Sequence, residues 1–378
     1  MTSLLRSAAV AACLSITGGL PGFPALAHET QDKSSGTKRV EVVFVLDTTG
    51  SMGPLIEGAK RKIWSIATSI IDQNPNAELH MGLVAYRDRG DDYVTKVHPL
   101  TRDIQKLYGE LLALRANGGG DWPESVNEAL DAAVTKINWT QGAKTDRIAF
   151  LVGDAPPHMD YEQDRKYPEI MKTARERDII VNAVQAGNAG DTERVWRSVA
   201  QLGGGRYIPI PQDGGKVVVI ETPYDREILN LQIEINRTVL PYGSRRQKAE
   251  VKSRTEAFAA APSATASDMA SYLRKSARTA AEAVTGEGDI VADVLSGLQR
   301  LEDLKEEERP DEWRGLSLAE QKQAIEKEGQ RRKELAAKMD QLVKQRDAYI
   351  AEAHAKAEPR ADSFDEVVKE TLHSQLKR

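Results

Sequence analysis

The chain has 378 residues, with 52 Lys and Arg against 57 Asp and Glu and a formal net charge of −5. That length admits one sizeable core plus a second module, and a mildly acidic balance with no concentrated basic face argues against nucleic-acid binding. The single cysteine, Cys13, lies in a leader-like segment, so the rest of the chain has no disulfide, no cysteine metal site and no thiol nucleophile.

Residues 1–27 read as a secretory signal peptide. Arg6 supplies the positive start, Ser7 to Leu20 the apolar run, and Pro21, Gly22 and Pro24 break that run before the small-x-small pattern Ala25-Leu26-Ala27. Cleavage there starts the mature chain at His28 and sends it to the periplasm or out of the cell. Val10-Ala11-Ala12-Cys13 loosely fits the alternative of a lipoprotein signal, but few residues precede Cys13, and cleavage after Ala27 is preferred. The apolar run is too short to span a bilayer, and no later segment resembles a membrane span.

From Val40 to about Ile220 short β-branched runs alternate with amphipathic stretches of helical period, the pattern of a doubly wound, mostly parallel α/β sheet with helices on both faces. Strands are expected over Val40 to Leu46, Leu79 to Tyr86, Tyr93 to His98, Arg147 to Val152, Ile179 to Gln185 and Arg206 to Ile208. Helices are expected over Leu55 to Ile71, Ile104 to Leu114, Pro123 to Ile137, Tyr167 to Arg177 and Thr192 to Leu202. The domain is drawn at 38–222. A helical connector and linker follows over 223–270, with a helix around Asp225 to Thr238 and an Ala/Ser-rich, linker-like stretch from Val251 to Asp268.

The remainder, 271–378, is a charged helical region. Leu335, Met339, Leu342, Arg346 and Tyr349 recur at alternating spacings of four and three, a coiled-coil-like stripe interrupted by one arginine. Two heptads are too few for a stable coiled coil. Packing of the stripe on the chain itself and self-association through these helices are both open.

In an open parallel sheet, ligands bind beyond the carboxyl ends of the strands. The first strand runs into Asp47-Thr48-Thr49-Gly50-Ser51, whose carboxylate and hydroxyls sit on alternate residues that a tight turn can bring to one point. The loop Asn117-Gly118-Gly119-Gly120-Asp121-Trp122-Pro123-Glu124 adds two carboxylates, and the strand ending at Val152 runs into Gly153-Asp154. Oxygen donors without Cys or His favour a hard cation, Mg²⁺ above a many-ligand Ca²⁺ cage. Taken alone, Asp47, Thr49 and Ser51 would equally suit a helix N-cap, and Asp154 a turn before Pro156-Pro157.

Asp47-x-Thr49-x-Ser51 resembles the D-x-T/S-x-S signature of von Willebrand factor A (VWA) domains, whose metal-ion-dependent adhesion site lies at the top of the same type of sheet. The resemblance covers about Val40 to Ile210, and its motifs recur in the family's order. The loops are similar to those of the integrin β-subunit and of bacterial exported and slime-mould kinase-associated VWA domains. They differ from the collagen-binding kind, in which a Thr follows the glycines. Asp121-x-Pro123-Glu124 resembles the D-x-P-E of the integrin β domain, which implies Glu124 as a metal ligand beside Asp47, Thr49, Ser51 and Asp154. By the same resemblance Asp121 and Asp88 would help to hold a second cation. Gly119 stands where an Asn ligand is expected, however, and Gly53-Pro54 lacks the acidic pair of a third site. One metal is therefore expected, Mg²⁺ with Mn²⁺ or Ca²⁺ as alternatives, with Asp121 beside or behind it.

The resemblance implies a non-catalytic, metal-dependent protein-binding module, in which an acidic side chain of the partner completes the coordination. Trp122 reads either as an anchor for that partner or as packing under the loop. His158 lies within reach of the site and reads as a surface or hydrogen-bonding histidine, with partner contact, as for Trp122, the alternative role. Asp91-Asp92 reads as a solvated turn, and Gly203-Gly204-Gly205 as a helix end rather than a phosphate loop. The competing functions are a metal-dependent hydrolase or phosphatase, and an accessory subunit of a separately encoded ATPase or kinase.

Overall fold

The structure is a computed structural model that describes residues 38–53, 56–75, 77–142, 144–210, 221–260, 263–276, 288–356 and 364–376. The signal-peptide reading, with Cys13, lies outside them.

Six strands form one sheet: β1 (Arg39–Asp47), β2 (Glu78–Tyr86), β3 (Thr95–Thr101), β4 (Thr145–Gly153), β5 (Ile179–Ala186) and β6 (Gly204–Ile210). Their order is β3-β2-β1-β4-β5-β6. All neighbours are parallel except β2 and β3. The order reverses direction at β1 and β4, so the crevice that such sheets use for ligands opens beyond the carboxyl ends of these two strands. Asp47 is the last residue of β1, and Asp154 follows the last residue of β4.

The β-branched runs arise because both faces of the sheet are covered. Val40, Val42, Phe44 and Leu46 of β1 join one core cluster, while Val43 and Val45 join the other. The first cluster takes in α1 (Ile56–Gln73) and α2 (Ile104–Ala113), and the second α3 (Val126–Thr135), α4 (Tyr167–Glu176) and α5 (Gly190–Leu202). Phe44 and Phe150 stack with ring centroids 5.7 Å apart between the two central strands.

The helices beyond residue 220 are α6 (Asp225–Asn236), α7 (Arg245–Ala259), α8 (Ser263–Ser276), α9 (Ile290–Leu295), α10 (Leu318–Lys356) and α11 (Phe364–Gln375). Most of them extend the first core: Ile228, Phe258, Met269, Met339 and Leu372 belong to the same cluster as β1. Ile290 and Val291 of α9 and Ile325 of α10 instead form a smaller, separate cluster with Leu240, Leu301 and Trp313. The stretch 251–268, expected as linker, is helical over most of its length, and buried Val251, Phe258 and Ala266 explain why. Its small side chains let helices approach closely instead of marking a flexible tether.

The α10 stripe packs on its own chain. Leu335 and Met339 are buried, and the interrupting Arg346 is buried between Asp225 of α6, at 2.8 Å, and Asp268 of α8. Only Tyr349 remains exposed, meeting Tyr224 edge-on. Among the described residues no helix is long and apolar enough to cross a membrane.

Candidate metal centre

Three loops meet at the carboxyl end of the sheet because backbone hydrogen bonds tie them to one another. The β1 loop is held to the glycine loop by Gly50 N–H donating to Gly118 O at 3.0 Å and Asn117 N–H donating to Thr48 O at 3.0 Å. A Cβ on Gly50 would stand 2.9 Å from that Gly118 oxygen, which is why glycine occupies the turn. The glycine loop is held in turn to the segment after β4. Glu124 N–H donates to Pro156 O at 2.9 Å and His158 N–H to Glu124 O at 3.0 Å, a short parallel bridge. Helix α3 therefore begins only at Val126, three residues later than its sequence pattern suggests, because Glu124 is engaged as strand.

Asp47 Oδ1 accepts from Thr49 N–H at 2.8 Å and from the Thr49 hydroxyl at 2.7 Å. The hydroxyls of Thr49 and Ser51 lie 3.2 Å apart, and Ser51 donates to Asp154 Oδ1 at 3.0 Å. Thr49 makes no side-chain cap to the short turn Gly50–Met52, so its hydroxyl serves this chain of oxygens instead. Glu124 joins from the side: a Cβ on Gly119, whose φ is +76°, would stand 2.9 Å from Glu124 Oε1 and 3.4 Å from Thr49 Cβ. Glycine at 119 is what lets Glu124 close on Thr49. Gly153 does the same beneath Asp47, where a Cβ would come within 2.4 Å of the Tyr86 hydroxyl.

Asp47, Thr49, Glu124 and Asp154 are buried. Asp47 Oδ2, Glu124 Oε2 and the Tyr86 hydroxyl have no hydrogen bond of regular geometry. Among the described residues, no ion pair joins Asp47, Glu124 or Asp154 to a basic side chain. Burial, and then the charge of Asp154, pushes the Asp47 carboxyl up to about 7. Burial, followed by Asp47 and Asp88, pushes Glu124 up to about 9, and burial raises Asp154. Buried carboxylates with unused oxygens and no counter-charge fit a hard divalent cation.

A pH dependence follows. In the metal-free protein Asp47 and Glu124 bind protons more tightly folded than unfolded, so their stabilising contribution is complete below about pH 4 and disappears as pH rises through about 7 and about 9. The melting temperature in EDTA is expected to fall over that window, and the fall to shrink in Mg²⁺. A melting temperature that climbs between those limits in EDTA would show that the carboxyls are compensated by something else.

Asp121 does not join this chain of oxygens. Its side chain is 61% exposed and faces His158 Nε2 at 3.4 Å. Trp122 is 43% exposed, and its indole N–H donates to Asp191 Oδ2 at 2.6 Å, so the ring is pinned at the surface rather than folded beneath the loop. His158, a candidate for partner contact, is 4% exposed and turned inward as the hydrogen-bonding rather than the surface alternative, because its backbone forms the bridge to Glu124. Burial opposes its protonation, but the bond to Asp160 and the charges of Asp88 and Asp121 outweigh this and raise its pKa.

Sequence reasoning missed the residues that brace these loops. Asp91, expected as a solvated turn, accepts from Gly119 N–H at 2.9 Å and from Asp88 N–H at 3.1 Å, so it fixes the glycine loop. Thr192 of α5 donates to Asp154 O at 2.9 Å. No local sequence signal marks either contact; the partners lie 28 and 38 residues away.

An open, doubly wound sheet with an acidic crevice at its central strand ends defines a class of ligand-binding α/β domain. Residues 41–212 match the family profile described as "von Willebrand factor A domain", and the chain carries a domain of that family over this segment. Domains of this family are generally protein-interaction modules, typically non-catalytic, and commonly bind a divalent metal.

The chain is 25% identical over 199 residues to an ariadne-like RING finger protein of Acanthamoeba polyphaga mimivirus, a match covering 48% of this chain and 19% of that protein. It is 26% identical over 122 residues to alpha-protein kinase vwkA of Dictyostelium discoideum, covering 32% and 19%. Both matches span under a fifth of the relatives' own length. Among solved structures it is similar to the SpRpn10 VWA domain, at 16% identity and a TM-score of 0.37, covering 49% of this chain and 95% of that one.

Proposed function

We propose that this chain is a divalent-metal-dependent protein-binding module of the cell envelope and not an enzyme. Asp47, Thr49, Ser51, Glu124 and Asp154 would hold a Mg²⁺ ion, which when bound supplies an electrophilic position for a carboxylate oxygen of a partner protein. The observation that carries this reading is the pair of buried oxygens, Asp47 Oδ2 and Glu124 Oε2, which have no hydrogen bond of regular geometry and, among the described residues, no basic side chain paired with their carboxylates.

The chain's own residues then do two things. The hydroxyls of Thr49 and Ser51 orient the Asp47 and Asp154 carboxylates through the bonds already formed. Exposed Trp122 and Met159 flank the bridge between the glycine loop and the β4 loop, offering apolar contact to whatever follows the acidic side chain. Location in the envelope rests on the leader-like residues 1–27.

The test is recovery of partners from a periplasmic extract on the immobilised full chain, in Mg²⁺ and in EDTA, with Asp47→Ala and Asp154→Ala alongside. Partners retained in Mg²⁺ and released by EDTA and by both substitutions are expected. Identical recovery under all these conditions would remove the metal from the function.

A further inference from the structure

We propose that Asp88, Asp121 and His158 form a second cation site, built for a first-row transition metal of the Zn²⁺ class rather than for Mg²⁺. His158 lies outside the motifs that mark the first site, and its imidazole is what distinguishes the two.

The ring is held as a metal-binding imidazole is held. It stacks on Tyr161 with centroids 3.9 Å apart and planes within 9°. Its Nδ1 lies 2.8 Å from Asp160 Oδ1, which takes the Nδ1–H as a hydrogen bond and leaves the lone pair on Nε2. That Nε2 is buried and has no hydrogen-bond partner. It points between two carboxylates, 3.5 Å from Asp88 Oδ2 and 3.4 Å from Asp121 Oδ1, and one ligand atom from each of the three residues lies within 4.8 Å of the others. Ligand atoms at bond lengths of about 2.1 Å stand about 3.4 Å apart along a tetrahedron's edge.

Asp88 is prepared in the same way. It is buried, its Oδ1 accepts from the Ser125 hydroxyl at 2.8 Å, and its Oδ2 accepts from the Tyr161 hydroxyl at 3.0 Å. The adjacent arginines are used elsewhere: Arg87 donates to Thr48 O and pairs with Asp92, and Arg89 pairs with Glu128 and Asp164. Tyr161 thus supports both the imidazole by stacking and the carboxylate by hydrogen bonding. Asp121 forms the exposed wall, which leaves an outer position open to water or to a partner's donor atom. One imidazole with two carboxylates suits Zn²⁺, Mn²⁺ or Co²⁺, whereas Mg²⁺ and Ca²⁺ prefer oxygen alone.

The competing arrangement is an imidazolium held between the two carboxylates with no ion. Titration of the metal-free full chain with Co²⁺ in excess Mg²⁺ separates the two. We expect a Co²⁺ site with tetrahedral-type visible absorption and nitrogen coupling in its spin-echo spectrum. It should persist in Asp47→Asn and weaken at least about tenfold in His158→Gln and Asp121→Asn. Asp160→Ala should weaken it by about 10–100-fold through loss of ring orientation. Asp121 is exposed, so Asp121→Asn decides the matter even where His158→Gln impairs folding. No Co²⁺ bound in excess Mg²⁺, Co²⁺ bound without nitrogen coupling, or binding unchanged in Asp121→Asn would each overturn the site.

Discussion

Asp47→Asn is expected to abolish stabilisation by Mg²⁺ and, in EDTA above neutral pH, to raise the melting temperature rather than lower it. Asparagine keeps the volume and the acceptor for Thr49 N–H and the Thr49 hydroxyl, but removes a buried charge that nothing in the chain neutralises. A carboxyl shifted from 3.8 to about 7 corresponds to at most about 4 kcal/mol of penalty once it is ionised. On the proposed metal-binding reading, bound metal would offset that penalty in the native sequence, and free Mg²⁺ at a hundred times its Kd would stabilise by about 2.7 kcal/mol. Thermal melts of both proteins across pH, with Mg²⁺ and with EDTA, read both effects. A variant less stable than the parent in EDTA at alkaline pH, yet still stabilised by Mg²⁺, would show that Asp47 has a structural role and no metal.

The second large effect lies far from the crevice. Arg332→Ala is expected to cost about 3–5 kcal/mol, because it leaves Asp289 buried without its counter-charge. Arg332 of α10 is itself buried, pairs with Asp289 at 2.5 Å, and donates to the hydroxyl and the carbonyl of Thr238 at 2.6 Å each. It thereby ties the segment after α6 and the start of α9 to the long helix. Asp289 retains only the Leu240 and Val291 N–H groups, at 3.2 and 3.3 Å. Urea unfolding should show the loss as a lower midpoint, and adding Asp289→Asn should recover part of it, since the double variant has no stranded charge. Equal stability of parent and Arg332→Ala would mean that this ion pair adds nothing net.

The sheet was legible because its strands are buried on both faces, so runs such as Val42-Val43-Phe44-Val45-Leu46 carry an unbroken apolar signal. The edge strand β3 was less legible. Its Thr95, Lys96 and His98 face partly outward, and the strand runs to Thr101 rather than ending at His98. The oxygen-rich loops were visible for a topological reason: Asp47 and Asp154 follow central strands, and topology alone delivers them to one end of the sheet.

What composition could not give was pairing over long separations. Arg346 looked like a flaw in an apolar stripe until Asp225, 121 residues earlier, met it as a buried ion pair. The Ala/Ser stretch before Asp268 looked like linker because small residues serve both loose tethers and tight helix contacts. For His158 the sequence left a surface and a hydrogen-bonding role open, and it could not choose between them because Asp88, which with the stacked Tyr161 encloses the ring, lies 70 residues away.

The most direct measurement is an anomalous-scattering map from crystals of the full chain grown with Mn²⁺. We expect a peak bounded by Asp47, Ser51, Glu124 and Asp154. Those side chains turned away from one another, with no peak among them at saturating Mn²⁺, would contradict a metal-centred binding crevice.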